Sequence, residues 1–374
     1  MRAFAERVVF LAHKEVLHIL RDRQVIYLAL GMPVIMVLLF GFAITFDVDL
    51  VRVGVVDHDR SPASRALLEA MRASKAFELA AYPERAEEAD RLFRRSEVKG
   101  VVVIPRGFAR DLARGRGAAF QLLMDGSDGT STQIALGYAS GIAQAQTLAQ
   151  LRRAGIGAAL PIEPRARPWF NPDMRSALFV VPGLAALIVG ILGVMLSALS
   201  VAREWERGSM EQLFATPVGR LAVVLGKLLP YVGLGVLQLL LVLVAGAWLF
   251  DVPLRGSVAL LGLASLLFLV CVMGQGLLIS MVTRNQQVAT QVAAITALVP
   301  ALLLSGFLFP IDNMPWLLQA ISQIVPARYM IVCMRGILLK GLTLVQLWPQ
   351  LVGMALLGLV LIAATTARFR RRLD

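Results

Sequence analysis

Charged and histidine side chains are scarce in this sequence. Charged residues make up 17% and hydrophobic residues 57% of its 374 residues, whereas a soluble protein keeps about 25% charged residues. The chain therefore has too little polar surface for a protein covered by water. None of its three histidines, His13, His18 and His58, lies with a cysteine or carboxylate at metal-ligand spacing. The nearest approach is Asp57-His58-Asp59, which we interpret as a structural turn. We expect no catalytic residues and no bound metal.

Cysteine is equally scarce, and a nucleotide-binding loop is missing. Cys271 lies in an apolar run and Cys333 in a compact apolar segment, and a buried free thiol behaves as a small hydrophobe. The stretch closest to a phosphate-binding loop is Gly219–Lys227. It has six residues between its glycines instead of four, and Leu228 follows its lysine. The sequence therefore predicts no disulfide framework and no ATP site in this chain.

Long apolar runs are abundant. Each is about 20 residues or longer, enough to cross about 30 Å of hydrocarbon as a helix. None has a charge near its centre, and Lys227 lies at one edge. The first run is longer than the apolar region of a cleaved signal peptide, so we expect a retained anchor. The six predicted transmembrane helices are Val25–Phe46, Ser176–Ser200, Leu225–Phe250, Val258–Val282, Val288–Phe309 and Leu344–Thr366.

The distribution of Lys and Arg predicts the orientation. The formal net charge is +12, and most of the excess lies before the first run, after the second run and at the C terminus. Short cytoplasmic connections carry such an excess in membrane proteins. Both termini are therefore expected in the cytoplasm and segment 47–175 outside it. No basic stripe interleaved with aromatic residues appears, so we expect no nucleic-acid partner.

Segment 47–175 has the pattern of an α/β domain. Short apolar runs bounded by turn residues predict strands, and stretches with helical spacing alternate with them. The predicted strands are Val51–Val56, Phe77–Ala81, Gly100–Ile104 and Phe120–Met124. The predicted helices are Ser64–Ser74, Glu84–Ser96 and Thr130–Arg153.

These patterns define the expected fold. It is an α-helical integral membrane protein with six transmembrane helices, an α/β extracytoplasmic domain and short re-entrant helices before the last span. Residues 1–24 are expected to form an amphipathic interfacial helix, with an apolar face of Phe4, Val8, Leu11, Leu17 and Leu20. The further boundaries are 25–46 for the first span, 47–175 for the outer domain, and 176–374 for a five-helix transmembrane domain. That last domain contains a cytoplasmic loop at 201–222 and an outer re-entrant segment at 306–341.

Polar residues within the predicted spans are mild. A proton-coupled transporter would place ionisable groups at mid-membrane, and these spans hold none there. In the fifth run, Gln291, Thr296, Ser305 and Phe307 are candidate members of a translocation path. The alternative is that such residues only pack helices together.

The loop after the second run mixes charge with apolar residues. Ser209–Phe214 predicts a short helix with Ser209 as a candidate cap, ended before Pro217 because proline disfavours a preceding α conformation. A loop of this kind suits docking to a soluble partner. The alternative is a solvated loop that only sets the topology.

The sequence resembles the type-2 ABC transporter permeases, in the branch with a large extracytoplasmic domain after the first span. Four stretches that follow each other along the whole chain carry the resemblance. They are Lys14-Glu15 with Arg21-Asp22-Arg23; Val55–Ser61; Arg203–Gly208 through Glu211–Leu213 and Thr216-Pro217 to Gly226-Lys227; and Ser305–Phe307 through Pro310 and Met314-Pro315 to Pro326–Tyr329 and Arg335.

The resemblance implies the permease subunit of an ATP-driven exporter in a bacterial inner (plasma) membrane. ATP and Mg would be bound by a separate ATPase subunit, and two permeases would form a dimer surrounded by membrane lipid. The cargo would be a drug, a lipid or another amphiphile, and the outer domain would suit a periplasmic adaptor protein. The implied ATPase-coupling residues are Arg203, Glu204, Glu206, Arg207, Gly208, Glu211, Thr216 and Pro217. A membrane-anchored receptor or assembly factor without transport activity is the alternative.

Overall fold

Two compact units make up the chain. The computed structural model describes residues 2–43, 50–115, 117–126, 129–153, 170, 175–210 and 218–368. The larger unit comprises Met1–Thr45 with Pro168–Asp374, and the smaller unit comprises Phe46–Arg167.

The smaller unit is a four-stranded mixed sheet covered by helices. Its elements are β1 (Val51–Asp57), α4 (Pro62–Ala73), β2 (Phe77–Ala81), α5 (Ala89–Arg94), β3 (Gly100–Ile104), α6 (Phe108–Ala113), β4 (Gln121–Met124) and α7 (Gly129–Arg153). The strand order is β2-β1-β3-β4. β1 pairs in parallel with β2 and β3, and β4 pairs antiparallel to β3. All four predicted strands are found within one residue of their predicted bounds.

Apolar side chains fill both faces of this sheet. Successive strand residues point to opposite faces, so Val102 packs into the core that includes α4 and α7. Its neighbour Val101 packs into a second core on the other face, with Leu92 of α5. A sheet buried on both faces has strands that are apolar throughout, which explains the unbroken apolar run at Gly100–Ile104.

The turn after β1 is structural. Asp57 Oδ1 accepts hydrogen bonds from the amides of Asp59 and Arg60, at 3.0 and 2.9 Å. Ser61 and Ser64 form a capping box at the start of α4. Asp59 accepts hydrogen bonds from the Gly107 and Ala109 amides, at 2.8 and 3.0 Å. These contacts hold the pKa of Asp59 below its ordinary value, the side-chain hydrogen bond with Ser61 first among them. The two carboxylates thus satisfy backbone amides, as the turn interpretation requires.

All secondary structure in the described residues of the larger unit is helical. It contains α1 (Arg2–Arg21), α2 (Arg23–Ile26), a π-helical turn (Tyr27–Gly31), α3 (Met32–Ala43), α8 (Ser176–Glu206), α9 (Arg220–Phe250), α10 (Val258–Thr283), α11 (Gln286–Leu304), α12 (Trp316–Ser322), α13 (Pro326–Arg335), a second π-helical turn (Gly336–Lys340) and α14 (Leu344–Arg368).

Five of these helices, α8 to α11 and α14, are long and apolar enough to cross a membrane. The first predicted span, Val25–Phe46, does not pass on its own, because its described apolar helix Tyr27–Phe42 is shorter. Residues 44–49, with the end of that span, lie outside the described residues. α12 and the segment Pro326–Lys340, which is α13 with the second π-helical turn, are together long and apolar enough to cross a membrane, as a pair bent by 84°. The six spans of the prediction therefore correspond to five clear ones, a shorter first helix and a bent pair.

Helix α8 is the centre of the larger unit. In the apolar 18-residue stretch of α8, 83% of the residues are buried inside the chain. The same fraction is 22% for α11 and for α14. Gly276 of α10 brings that helix close to α8, since a Cβ there would lie 2.0 Å from Ser197 Oγ. Small residues allow such close approach between membrane helices. α11 and α14, in contrast, keep most of their apolar surface for lipid or for another chain.

The spans define two ends of this unit. At the Glu204 end, α8 and α10 end while α9 and α11 begin. At the Phe179 end, α8, α10 and α14 begin, and α9 ends. There Arg175 forms an ion pair with Asp251 at 3.3 Å. The candidate sites below lie at these two ends.

Candidate coupling site

The N-terminal helix α1 is held tightly against α9 at the Glu204 end. A Cβ added to Gly226 of α9 would lie 2.6 Å from Leu11 Cβ of α1, closer than real Cβ atoms approach one another. Glycine is therefore what lets the two helices meet here. Leu11 is itself 8% exposed.

The buried side of α1 and its predicted apolar face overlap only in part. Val8, Leu11, Glu15 and Ile19 are buried, a spacing of three or four residues that lies on one side of a helix. Leu17 and Leu20 of the predicted apolar face are 40% and 63% exposed. The apolar pattern of α1 thus serves two surfaces, and the inward one includes a carboxylate.

That carboxylate belongs to a buried ion network around Lys227 of α9. Lys227 Nζ lies 2.7 Å from Glu15 Oε1 of α1 and 2.6 Å from Glu204 Oε2 of α8. The Lys14 ammonium approaches the other Glu204 oxygen at 3.2 Å. Two lysines thus balance two glutamates, and three helices are joined through one set of side chains.

Burial determines how strongly this network constrains the helices. The side chains of Lys227, Glu15 and Glu204 are 4%, 6% and 9% exposed. Charges withdrawn from water are tolerable only when paired, and removing one partner costs about 3–5 kcal/mol because the other is left buried alone. The network resists any motion of α1 that separates it from α8 and α9.

A second ion pair joins the same elements. Arg203 of α8 pairs with Asp22, the residue between α1 and α2. Asp22 also accepts a hydrogen bond from the Val25 amide at 3.3 Å, within α2. Beside these groups lies a cavity of about 300 Å³ lined partly by His18, Ser200 and Tyr231. The end of α8 is therefore joined to α1 through Lys14 and to the α1–α2 junction through Asp22.

Helix α8 ends in a reversal of the chain that leads into the loop. Gly208 has φ +70°, the left-handed conformation that commonly ends helices and favours glycine. The next residue, Ser209, donates its hydroxyl hydrogen bond to the Glu204 carbonyl at 3.4 Å. The described loop residues reach Met210, which is fully buried. The rest of the predicted short helix, 211–214, lies outside the described residues, as do 215–217.

Five of the eight predicted coupling residues lie within the described residues. Glu204 is buried and Arg203 half-buried in ion pairs within the chain, so neither side chain is an exposed docking group. Glu206 is exposed and accepts hydrogen bonds from the Gln286 backbone amide, at 2.8 Å, and from its side-chain amide, which secures the start of α11. Arg207 is exposed and Gly208 forms the turn. The other three predicted residues, Glu211, Thr216 and Pro217, lie outside the described residues.

Three members of the network were not predicted as site residues: Lys14, Glu15 and Lys227. One signal was present, because Lys227 was the charge at the edge of a predicted span. A lysine at that position either extends to the interface or needs a charged partner. Sequence alone did not indicate which carboxylates would supply it, since Glu15 is 212 positions away.

The four candidate path residues do not come together. Thr296 lines an apolar cavity between α8, α10 and α11, and Ser305 lines a separate groove at the Phe179 end. Phe307 is 4% exposed and packs at Gly183 of α8. Gln291 is exposed on α11. The path assignment stays a prediction.

Comparison with known proteins identifies the family. Residues 23–367 match the family model described as ABC-2 family transporter protein. The chain is 36% identical over 369 residues to the "Probable multidrug ABC transporter permease YbhS" of Escherichia coli (strain K12), covering 98% of both chains. It is 32% identical over 372 residues to "Probable multidrug ABC transporter permease YbhR" of the same strain, covering 98% of this chain and 99% of the relative. With "Inner membrane transport permease YhhJ" of that strain it shares 26% identity over 272 residues, 72% of each chain.

These matches, together with the five apolar helices, define the class of protein. The chain is a multi-pass membrane protein and a permease of an ABC transporter. It belongs to the ABC-2 family of transporter proteins. Membership implies an ATPase subunit as partner and, often, a permease dimer.

Proposed function

We propose that this permease is the membrane subunit of an ATP-driven exporter, coupled to a separate ATPase subunit through its 203–217 loop. The observation that carries the proposal is the buried Lys227 network. It lies where α8 runs into that loop, and it fixes α1 and α9 to the last turn of α8. A displacement applied to the loop would therefore move three helices together.

Transmission of a rigid-body movement from the loop to α1 and α9 needs contacts that stay intact while the helices move. Packed interfaces switch between discrete arrangements instead of deforming gradually. Glu204, in this proposal, does not touch the ATPase. It transmits force from the loop to α1 and α9, while exposed Arg207 and residues 211–217 supply the docking surface.

The remaining features of the proposal follow the relatives and the charge pattern. Both termini face the cytoplasm of a bacterial cell, the Glu204 end is cytoplasmic, and unit Phe46–Arg167 is extracytoplasmic, where it suits a periplasmic adaptor. Two copies or paralogues assemble through surfaces such as α11. The cargo is a drug, a lipid or another amphiphile, in keeping with the relatives named multidrug permeases.

Crosslinking from a single position tests this proposal. The native cysteines Cys271 and Cys333 are fully buried, so a cysteine introduced by Arg207→Cys is the thiol that reacts. In native membranes we expect it to crosslink to a soluble ATPase subunit, identified by mass. Arg255→Cys, exposed at the Phe179 end, is the matched control and should give no such product.

The outcome also separates the two candidate functions. A soluble protein with an intact phosphate-binding loop, crosslinked from position 207 alone, supports the exporter. Recovery of no ATPase from either position, with both variants inserted in the membrane, would favour the receptor or assembly factor.

A further inference from the structure

Two neighbouring hollows occupy the part of the larger unit nearest the Phe179 end. The first, the apolar cavity, has a volume of about 280 Å³ and is lined by residues of α8, α10, α11 and the α12–α13 bend, among them Thr296, Ala301 and Phe268. The second, the basic groove, has a volume of about 540 Å³ and includes Ser305, Asp312, Arg328, Arg335 and Gln350 in its lining.

The two hollows are adjacent along the chain. Leu304 lines the apolar cavity and Ser305 the basic groove. Ala327 lines the cavity and Arg328 the groove. The boundary between the apolar cavity and the basic groove thus falls between consecutive residues, at the end of α11 and at the start of α13.

Arg335 gives the groove its charge. Its guanidinium donates to the backbone carbonyls of Phe179, Gly306 and Phe307 at 3.3, 3.2 and 3.5 Å, and it stacks 3.6 Å from the Phe179 ring centroid. A guanidinium has five N–H donors, and these three long contacts leave two. No carboxylate among the described residues forms an ion pair with Arg335. The stacked ring and the carbonyls fix the cation without neutralising it.

The remaining polar groups of the groove favour an anion. The Arg328 guanidinium donates to the Gln319 carbonyl at 3.0 Å and to Ser322 Oγ through one terminal nitrogen. Asp312, the acidic member, is exposed. With Arg328 and Arg335 it gives the charged lining residues a sum of one positive charge. Gln350 Oε1 is buried and has no hydrogen-bond partner in the described part of the chain. A buried polar atom without a partner is costly, and the hydroxyl of a phosphate that carries one proton would satisfy this acceptor.

The surroundings suit the boundary between lipid and water. Trp316 and Trp348 are 78% and 58% exposed on α12 and α14, near the groove in sequence. Tryptophan is enriched at this depth, where its ring meets both apolar chains and head groups.

From this arrangement we propose that the two hollows form one head-and-tail site within a single chain for an amphiphile with an anionic head. The acyl or alkyl tail occupies the apolar cavity, and a phosphate or similar anion lies against Arg335, with Arg328 and Gln350 beside it. This inference rests on the proposed function, because such an amphiphile would be the cargo class of the exporter.

Binding to the purified chain, without any ATPase, tests the site. The probe is radiolabelled decyl phosphate, measured on the full chain in phosphatidylcholine nanodiscs, with empty nanodiscs subtracted. We expect saturable binding that is at least about tenfold tighter than that of inorganic phosphate or decanol, since either alone loses half of the contacts.

Three variants locate the probe. Gln350→Glu places a carboxylate in the groove in place of an amide of the same shape, and we expect it to weaken binding about tenfold by repulsion. Arg335→Gln should weaken decyl phosphate similarly, and Ala301→Leu, which fills the apolar cavity, should weaken it without affecting inorganic phosphate. Arg255→Gln, an exposed arginine at the same end that lines neither hollow, is the control and should bind as the unmodified chain does.

Failure of this inference is distinct from failure of the proposed function. Equal binding of decanol and decyl phosphate, or unchanged binding in both Gln350→Glu and Ala301→Leu, overturns the head-and-tail site. Because no ATPase takes part, such a result leaves the crosslinking test from position 207 intact.

Discussion

Lys227 shows how one residue can determine the behaviour of three helices. A lysine near the end of a membrane helix usually extends towards water. Here the side chain is instead 4% exposed between Glu15 and Glu204. The buried lysine charge is tolerated because both partners are present. Its main contribution is to connect three helices, and its contribution to net stability is smaller.

The network predicts a specific pattern of stability. Lys227→Met leaves Glu15 buried without a cation, and we expect the free energy of unfolding to fall by about 3–5 kcal/mol. The double variant Glu15→Gln/Lys227→Met removes one charge of each sign and leaves the Lys14–Glu204 pair, so most of that loss should be recovered. Thermal unfolding in detergent measures both. A double variant less stable than Lys227→Met would contradict the pairing.

A buried amide in α9 leads to a second residue-scale prediction. Gln238 is fully buried, and neither side-chain polar atom has a partner within the described residues. Burying an unpaired amide costs about 1–3 kcal/mol in proteins. We therefore expect Gln238→Leu to raise the melting temperature. A lower melting temperature would mean that the amide has a partner in the assembled transporter.

At the scale of elements, the contact between α1 and α9 depends on Gly226. The methyl group of Gly226→Ala would collide with Leu11 Cβ, and overpacking of this kind costs about 1–3 kcal/mol. We expect α1 to move away from α9, with a lower melting temperature. Gly233→Ala, in the same helix with open space at its Cβ, is the matched control and should change stability little. Equal effects of the two substitutions would refute the close contact.

The smaller unit offers a prediction on pH. The pKa of Asp59 is held below its ordinary value, first by Ser61 and also by backbone amides including those of Ala109 and Gly107. A lowered folded-state pKa means that the stabilisation is present above the ordinary pKa of about 4 and is lost as pH falls through the lowered value.

Asp59→Asn should therefore destabilise the protein at neutral pH, and its difference from the unmodified chain should shrink as the pH falls below about 4. Thermal unfolding across that range measures this difference. Asp90→Asn removes an exposed carboxylate paired with Arg94 and is the control, expected to change little at any pH. A constant difference between Asp59→Asn and the unmodified chain would argue against the carboxylate contacts.

Elements were predicted better than the contacts between them. The strands of the smaller unit follow from local apolar runs, and their observed bounds agree closely. The first span was predicted as Val25–Phe46; its described apolar helix is Tyr27–Phe42, and the predicted end lies outside the described residues. Hydropathy does not show that this helix begins with the π-helical turn at Tyr27–Gly31. The predicted apolar face of α1 did not include Glu15, which faces inward to pair with Lys227.

The charge network marks the limit of sequence reasoning at this site. Lys14 and Glu204 are 190 positions apart, and nothing local to either indicates the other. The family resemblance correctly indicated the class of protein and drew attention to the Glu204 segment. It did not indicate that Glu204 points into the chain, which changes its proposed role from docking to transmission.

For the whole molecule, surface composition indicates further assembly. α11 and α14 bury 22% of their most apolar windows within the chain, so lipid or a second permease must cover the rest. Exposed apolar faces of this size are expected in a membrane protein. In the proposed dimer, movement of α8 together with α1 and α9 would change the surfaces that each copy presents to the other.

The most direct measurement is the distance between nitroxide labels at position 207 of the two copies in the isolated complex with its ATPase, before and after trapping with ATP. The buried native cysteines leave Arg207→Cys as the labelled site. We predict that ATP shifts the distance between the labels at position 207 when the network is intact. A second pair of labels, on α1 of the two copies, follows the movement of that helix. In Glu15→Gln/Lys227→Met, which should stay stable and still hydrolyse ATP, we expect the distance between the α1 labels no longer to shift with ATP. An ATP-independent distance at position 207, in a complex that hydrolyses ATP, would contradict coupling through this loop.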